Sequence, residues 1–195
     1  MWKPLYTNIS RHVSLNREDE AVIESLFRHR RYRKKQYLLQ EGEICRYESF
    51  IIKGCTRTYE AGEKGQEHIL QFGLEGWWVG NLYSFLSKTA SGYNIDCLED
   101  CEVLQITSTD LENLYARCPV MERFFRIIIQ NAFIALQNRI LNTLSKPASE
   151  RYHDFILKYP QIEQRVPDKE IASYLGITPQ SLSRIRKNYR SGKLP

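Results

Sequence analysis

The residues with the most chemistry to offer sit together near the carboxyl end, where Gln180, Ser181, Ser183, Arg184, Arg186, Lys187 and Arg190 follow Thr178 and no acid occurs from Arg184 onward. A glutamine can form a paired hydrogen bond with adenine and an arginine with guanine, each pair discriminating by about 1–3 kcal/mol. Gln180 and Arg184 are therefore the candidate base-readers. Ser181, Arg186, Lys187 and Arg190 are candidate phosphate contacts, which position a duplex without specifying its sequence. The charge distribution agrees. The chain carries 28 Lys and Arg against 23 Asp and Glu, and residues 145–195 hold ten of the former and five of the latter, so the whole excess lies in the last quarter. Such a localised excess is the electrostatic footprint of a nucleic-acid-binding module. A solvated basic tail is the plainer alternative.

Those side chains need a scaffold, and 167–187 reads as helix-turn-helix. Ile171 and Leu175 lie one turn apart on the first helix, and Leu182 and Ile185 form the inner face of the second. Ala172 must be small where the helices cross, and Gly176 suits a tight turn that larger residues resist. Thr178 is a natural N-cap and Pro179 fits the first helical position, which needs no backbone donor. With Leu182 and Ile185 inward, Gln180, Ser181, Ser183, Arg184 and Lys187 face wholly or partly outward. A helical hairpin that merely packs is the competing reading.

Upstream, 119–143 has no glycine or proline after its first residue, and Phe124, Ile127, Asn131, Ile134, Asn138 and Leu141 recur at the four-three spacing of a coiled-coil seam. Phe125, Ile129, Ala132, Leu136 and Ile140 form a second apolar row. A helix with two apolar faces needs two packing partners: its own domain, and the same helix of a second copy. Both rows in one monomer's core is the alternative. A further helix spans 148–157 between Pro147 and Pro160. Eight of the ten glycines fall between Gly42 and Gly92, among β-rich runs at 36–39, 50–53, 56–59, 68–72, 93–97 and 102–106. This spacing predicts an antiparallel roll or sandwich over about 34–107. An acid-rich first turn at 16–20 leads into a helix expected to pack on it. The fold class is α+β, with segments 1–116, 117–144 and 145–195.

Several classes are set aside. No apolar run approaches the roughly 18 residues that cross a bilayer, and the amino terminus lacks a secretory pattern, so a cytoplasmic protein without membrane contact is expected. Cys45, Cys55, Cys97, Cys101 and Cys118 include no Cys-x-x-Cys pair and read as buried thiols, with no metal or cofactor. A β-roll could also be a cupin-like metal enzyme, but His12, His29, His68 and His153 are dispersed, and there is no phosphate loop or nucleophile elbow.

An amino-terminal roll, a long helix and a carboxy-terminal helix-turn-helix, in that order and over nearly the whole chain, resemble the cyclic AMP receptor protein (Crp/Fnr-type) family of bacterial transcription regulators. Glu150-Arg151-Tyr152, Tyr159-Pro160, Arg165-Val166-Pro167, 171–177 and 182–186 are similar to a short-tailed branch of it. The resemblance implies a jelly roll of the cyclic-nucleotide-binding kind, a homodimer, double-stranded DNA and RNA polymerase as partners, and no enzymatic activity. Family members that bind a cyclic nucleotide use Gly-Glu for the ribose hydroxyl and Arg-Ser for the cyclic phosphate. Here those stretches read Gly80-Asn81 and Ser91-Gly92-Tyr93, and no Lys or Arg lies between Lys88 and Arg117. A buried phosphate without its guanidinium would lose a charge-assisted contact, so cyclic AMP is not expected in the usual way. A pocket at Trp78, Gly80, Asn81, Tyr83 and Tyr93 is left for an unknown small-molecule effector or none, and a partner protein is the other input considered. No cysteine precedes Cys45, which argues against the iron-sulfur branch. Only 188–195 follow where the family has a β-hairpin wing, so backbone contacts are expected to rest on the basic tail.

Overall fold

The structure is a computed structural model and describes residues 1–62 and 65–191. The chain divides into two compact units, Met1–Tyr59 with Phe72–Asn131, and Glu60–Gln71 with Ala132–Pro195. The long helix is therefore shared between the units rather than being a segment apart, and so is one hairpin of the roll. Of the residues invoked for the basic tail, 192–195 lie outside the described residues.

The first unit opens with α1 (Lys3–Ile9) and α2 (Arg17–Leu26). Asn16 caps α2 reciprocally with Asp19, each side chain accepting from the other's backbone N–H, which explains why the acid-rich start is helical. The roll consists of β1 (Arg28–Tyr32), β2 (Tyr37–Leu39), β3 (Tyr47–Lys53), β4 (Thr56–Ala61), β5 (Glu67–Gly73), β6 (Trp78–Val79), β7 (Asn94–Cys97) and β8 (Cys101–Thr107), with α3 (Leu82–Ser87) between β6 and β7. The strands form two sheets, β1-β8-β3-β6 and β2-β7-β4-β5. Every β-run read from the sequence is a strand. β1 had no such signal because Arg-His-Arg-Arg-Tyr does not alternate in polarity; it is held by antiparallel pairing with β8, with His29 and Arg31 both reaching Glu102.

β3 and β8 run through the middle of their sheet and are buried on both faces, so neighbours Phe50 and Ile51 are both fully enclosed. Phe50, Leu104 and Ile106 meet a layer of helices, while Ile51 packs with Val79 and Val103 on the other face. The helical layer contains Leu5 and Ile9 of α1, Ile23 of α2, Leu111 and Leu114 of α4 (Ser108–Arg117), and Met121, Phe124 and Phe125 of α5 (Val120–Ser145). All five cysteines are buried free thiols.

The second unit contains the rest of α5, then α6 (Ala148–Lys158), α7 (Ile162–Arg165), α8 (Asp168–Leu175) and α9 (Pro179–Arg190). Its core gathers Tyr152 and Phe155 from α6, Ile162, Ile171, Ala172, Leu175 and Leu182. Among the described residues, no helix is long and apolar enough to cross a membrane.

Candidate nucleic-acid interface

α8 and α9 make the helix-turn-helix that the spacing predicts. Gly176 caps α8 in the left-handed conformation, at φ +66°, and a Cβ there would meet nothing within 4 Å, so the residue is needed for its conformation rather than for space. Ala172 is fully buried beneath the crossing. The Thr178 hydroxyl accepts from Ser181 N–H at 3.2 Å and donates to the Ser181 hydroxyl at 3.0 Å, with Pro179 at the helix start. Ser181 is thereby half-buried and engaged in the cap.

Gln180, Ser183, Arg184, Lys187 and Arg190 are exposed on one side of α9, opposite the buried Leu182. No acid lies on α9. Arg186 departs from its assigned role. Its side chain is 13% exposed and is ion-paired with Glu163 and with Asp168 at 2.6 Å, so it fastens α9 to α7 and α8 and does not reach outward for a phosphate. Burial alone would lower its pKa, but the Asp168 hydrogen bond and the Glu163 charge outweigh it and raise the value above the ordinary one. Nearby, Tyr152 donates to Glu163 at 2.7 Å, and Arg151 donates to Lys146 O and Leu175 O, tying α6 to the end of α8.

The helix expected to dimerise divides in two. Phe124 is fully buried against its own roll, so it is removed from the proposed seam; the sequence placed it there on periodicity, but the start of α5 is a core helix. Ile127 is half-buried. Beyond it Asn131, Ile134, Asn138 and Leu141 are all exposed, together with Phe133 at 59% and Leu144 at 81%.

In the roll, the pocket residues scatter. Trp78 lies in an aromatic cluster with Phe27, Phe50, Phe124 and Phe125, the last at 4.9 Å, and is part of the core rather than a cavity wall. Tyr83 is 73% exposed on α3. Asn81 caps α3 by accepting from Ser84 N–H, and its amide donates to the Ser91 hydroxyl at 2.9 Å; Ser91 in turn donates to Tyr93 O. The two positions that the resemblance matches to ribose and phosphate contacts are thus engaged within the protein, Asn81 with Ser84 and Ser91, and Ser91 with Tyr93. Tyr93 is half-buried with its hydroxyl 3.5 Å from Gly80 O, and burial pushes its pKa up to about 12. Gly80 does line a cavity of about 500 Å³, with Leu38, Leu39, Ser49, Val79 and Ile95 on its walls and Arg46 among its polar groups. A Cβ at Gly80 would fall 2.5 Å from the carboxylate of Glu48, whose Oε1 is buried without a partner and whose pKa burial raises to about 7.

The sequence pattern of the cyclic nucleotide-binding domain matches residues 29–118. The chain is 24% identical to the transcriptional activator protein Anr of Pseudomonas protegens over 93% of this chain and 79% of that one. It is 23% identical to the fumarate and nitrate reduction regulatory protein of Vibrio cholerae over 93% and 76%. FixK2 from Bradyrhizobium japonicum has the same fold, with a TM-score of 0.73 at 20% identity over 86% of each chain. The c-di-GMP responsive regulator CLP of Xanthomonas campestris superposes at 0.72 and 13% identity, over 91% of this chain and 93% of that one. The relatives so matched are transcription regulators, and the chain shares the fold of the solved ones. The chain is similar over most of its length to transcription regulators of the Crp/Fnr kind.

Proposed function

We propose that the chain works as a homodimer that binds double-stranded DNA sequence-specifically through α9 and regulates transcription beside RNA polymerase in the cytoplasm. The observation that carries this is the outer face of α9, where Gln180, Arg184, Lys187 and Arg190 stand exposed with no acid among them on a capped, well-buttressed helix. The exposed apolar half of α5 supports the dimer, since contiguous exposed apolar surface of this kind marks an interface. Two reader helices related by a two-fold axis suit half-sites about 34 Å apart.

The hydrogen bond that the Asn81 amide donates to the Ser91 hydroxyl supports a roll that does not take cyclic AMP in the family's usual way. The cavity beside Gly80, with Leu39, Val79 and Ile95 on its walls and Glu43, Arg46 and Ser49 as its polar groups, favours a different small-molecule effector. Selection of bound sequences from random duplexes tests the whole reading. A two-fold symmetric consensus is the expected result; recovery of no consensus, or of an asymmetric single half-site, overturns it.

A further inference from the structure

Cys97 and Cys101 stand at the two ends of one turn. Cys97 is the last residue of β7 and Cys101 the first of β8, separated by Leu98, Glu99 and Asp100, and the two strands belong to different sheets. Each residue is 1% exposed, and the Cys97 thiol donates a hydrogen bond to the Cys101 sulfur. The turn between them is gripped along its length. Lys35 N–H donates to Cys97 O at 2.7 Å, Cys97 N–H to Gln36 O at 3.0 Å, Leu98 N–H to Cys55 O at 2.8 Å, and Lys34 N–H to the Asp100 carboxylate at 2.8 Å. Gly54 approaches so closely that a Cβ on it would fall 2.6 Å from the Cys101 sulfur. Two sulfurs held in contact by a fixed backbone meet the requirement on which most cysteine pairs fail, that of separation and direction.

The two thiols of the pair differ in their hold on a proton. The hydrogen bond from Cys97 favours the thiolate of Cys101 and lowers its pKa against the opposing effect of burial, while the same bond, with burial, keeps the proton on Cys97. The thiolate is the nucleophilic form. Elsewhere in the roll, Cys45 donates to Tyr47 O at 3.3 Å and Cys118 to the Asp19 carboxylate at 3.1 Å, and burial raises both pKa values, that of Cys118 to about 12.

We propose that Cys97 and Cys101 form a peroxide-reactive dithiol site that closes to a reversible disulfide and staples the β7–β8 turn. The Cys101 sulfur attacks one peroxide oxygen and the O–O bond breaks; the departing hydroxide takes up the proton that Cys101 gave and leaves as water. The Cys97 sulfur then attacks the resulting sulfenic acid, the S–S bond forms, and the S–O bond breaks to release a second water that carries the Cys97 proton. Two thiols lose two electrons, and one peroxide is reduced to two waters. A small dithiol reverses the step by exchange. Peroxide is scarcely larger than water, so local opening of the turn admits it where bulkier reagents are kept out. Ile95, two residues before Cys97 and on the same face of β7, lines the cavity beside Gly80, so the staple forms at one end of a cavity wall. The roll thereby gains an oxidative input that needs no ligand in that cavity.

The test exposes the reduced full chain to a small excess of hydrogen peroxide, alkylates it under denaturing conditions, and digests it with a protease that cuts after glutamate. Cleavage after Glu99 separates the two cysteines. The expected product is a pair of peptides joined through Cys97 and Cys101 and parted by dithiothreitol, with Cys45, Cys55 and Cys118 alkylated. A bridge through Cys55, or oxidation that begins at Cys45 or Cys118, overturns the pairing, and five alkylated cysteines at a dose that oxidises the unfolded chain overturn the site. These readouts need no variant. Cys97→Ser is expected to lose the cross-link and stop at a sulfenic acid on Cys101 that dimedone captures, whereas Cys101→Ser loses the cross-link and the capture together. Capture at Cys97 in Cys101→Ser, as fast as at Cys101 in the other variant, overturns the order of attack.

Discussion

Arg184 and Arg186 are two residues apart on α9 and face different worlds, one solvent and the other Glu163 and Asp168. Arg184→Ala is expected to relax specificity at one base pair per half-site by about 1–3 kcal/mol, while Arg190→Ala weakens all sequences alike and flattens the salt dependence. Titrations on cognate and random duplexes separate the two; equal losses on both for Arg184→Ala remove it from base reading. Glu48 offers a prediction about stability. Burial penalises the charge of its carboxylate and raises the pKa from an ordinary 4.5 to about 7, so the proton is kept in the fold at pH values where an exposed carboxyl has lost it. A raised carboxyl value means that the native state is favoured with the proton bound. Stability is therefore fully present below about 4.5 and is lost as pH rises through 7. Glu48→Gln should abolish that loss and be more stable than the parent at pH 8, by an amount on the order of 2 kcal/mol. Melting curves at pH 5 and pH 8 check it, and an identical pH profile for both proteins counts against a neutral Glu48.

α5 shows how one helix can serve two environments. Its first turns are packed with the roll through Met121, Phe124 and Phe125, and its last turns expose Phe133, Ile134, Leu136, Ile140, Leu141 and Leu144. A continuous period of apolar residues cannot tell those two halves apart, since burial in one's own core and burial against a copy select the same residue types. If the exposed half is the seam, a charge there costs the desolvation of an unpaired carboxylate. Phe133→Glu is expected to give a monomer in sedimentation velocity and to lose binding to a two-fold duplex while keeping the circular dichroism of the parent. A dimer that persists places the contact elsewhere.

For the whole molecule, a two-fold pair of readers makes spacing a geometric requirement. Inserting about five base pairs between half-sites turns one by half a turn of the duplex, onto the far face. Binding to that site is expected to fall to the level of an isolated half-site in a gel-shift titration, and undiminished affinity would show the two readers to be independent.

Local rules made the helix-turn-helix legible: Thr178, Pro179, Gly176 and Ala172 each meet a short-range demand, and the strand runs declared themselves by alternation between glycine-marked turns. β1 was illegible because its charged residues are recruited by pairing with β8 rather than by their own pattern, and α1 because Leu5 and Ile9 alone fix so short a helix. Arg139 carried a faint signal, a lone cation between apolar Leu136 and Ile140, but nothing nearby in the chain points to Ile69 and Leu70, whose carbonyls accept from its guanidinium. Partners some seventy or a hundred residues distant are chosen by how the layers stack, which no local period encodes. The same reasoning moves Arg186 inward and joins Asn81 to Ser91: residue type was set by the sequence, but which charge or hydroxyl stood opposite was decided only when the chain closed on itself.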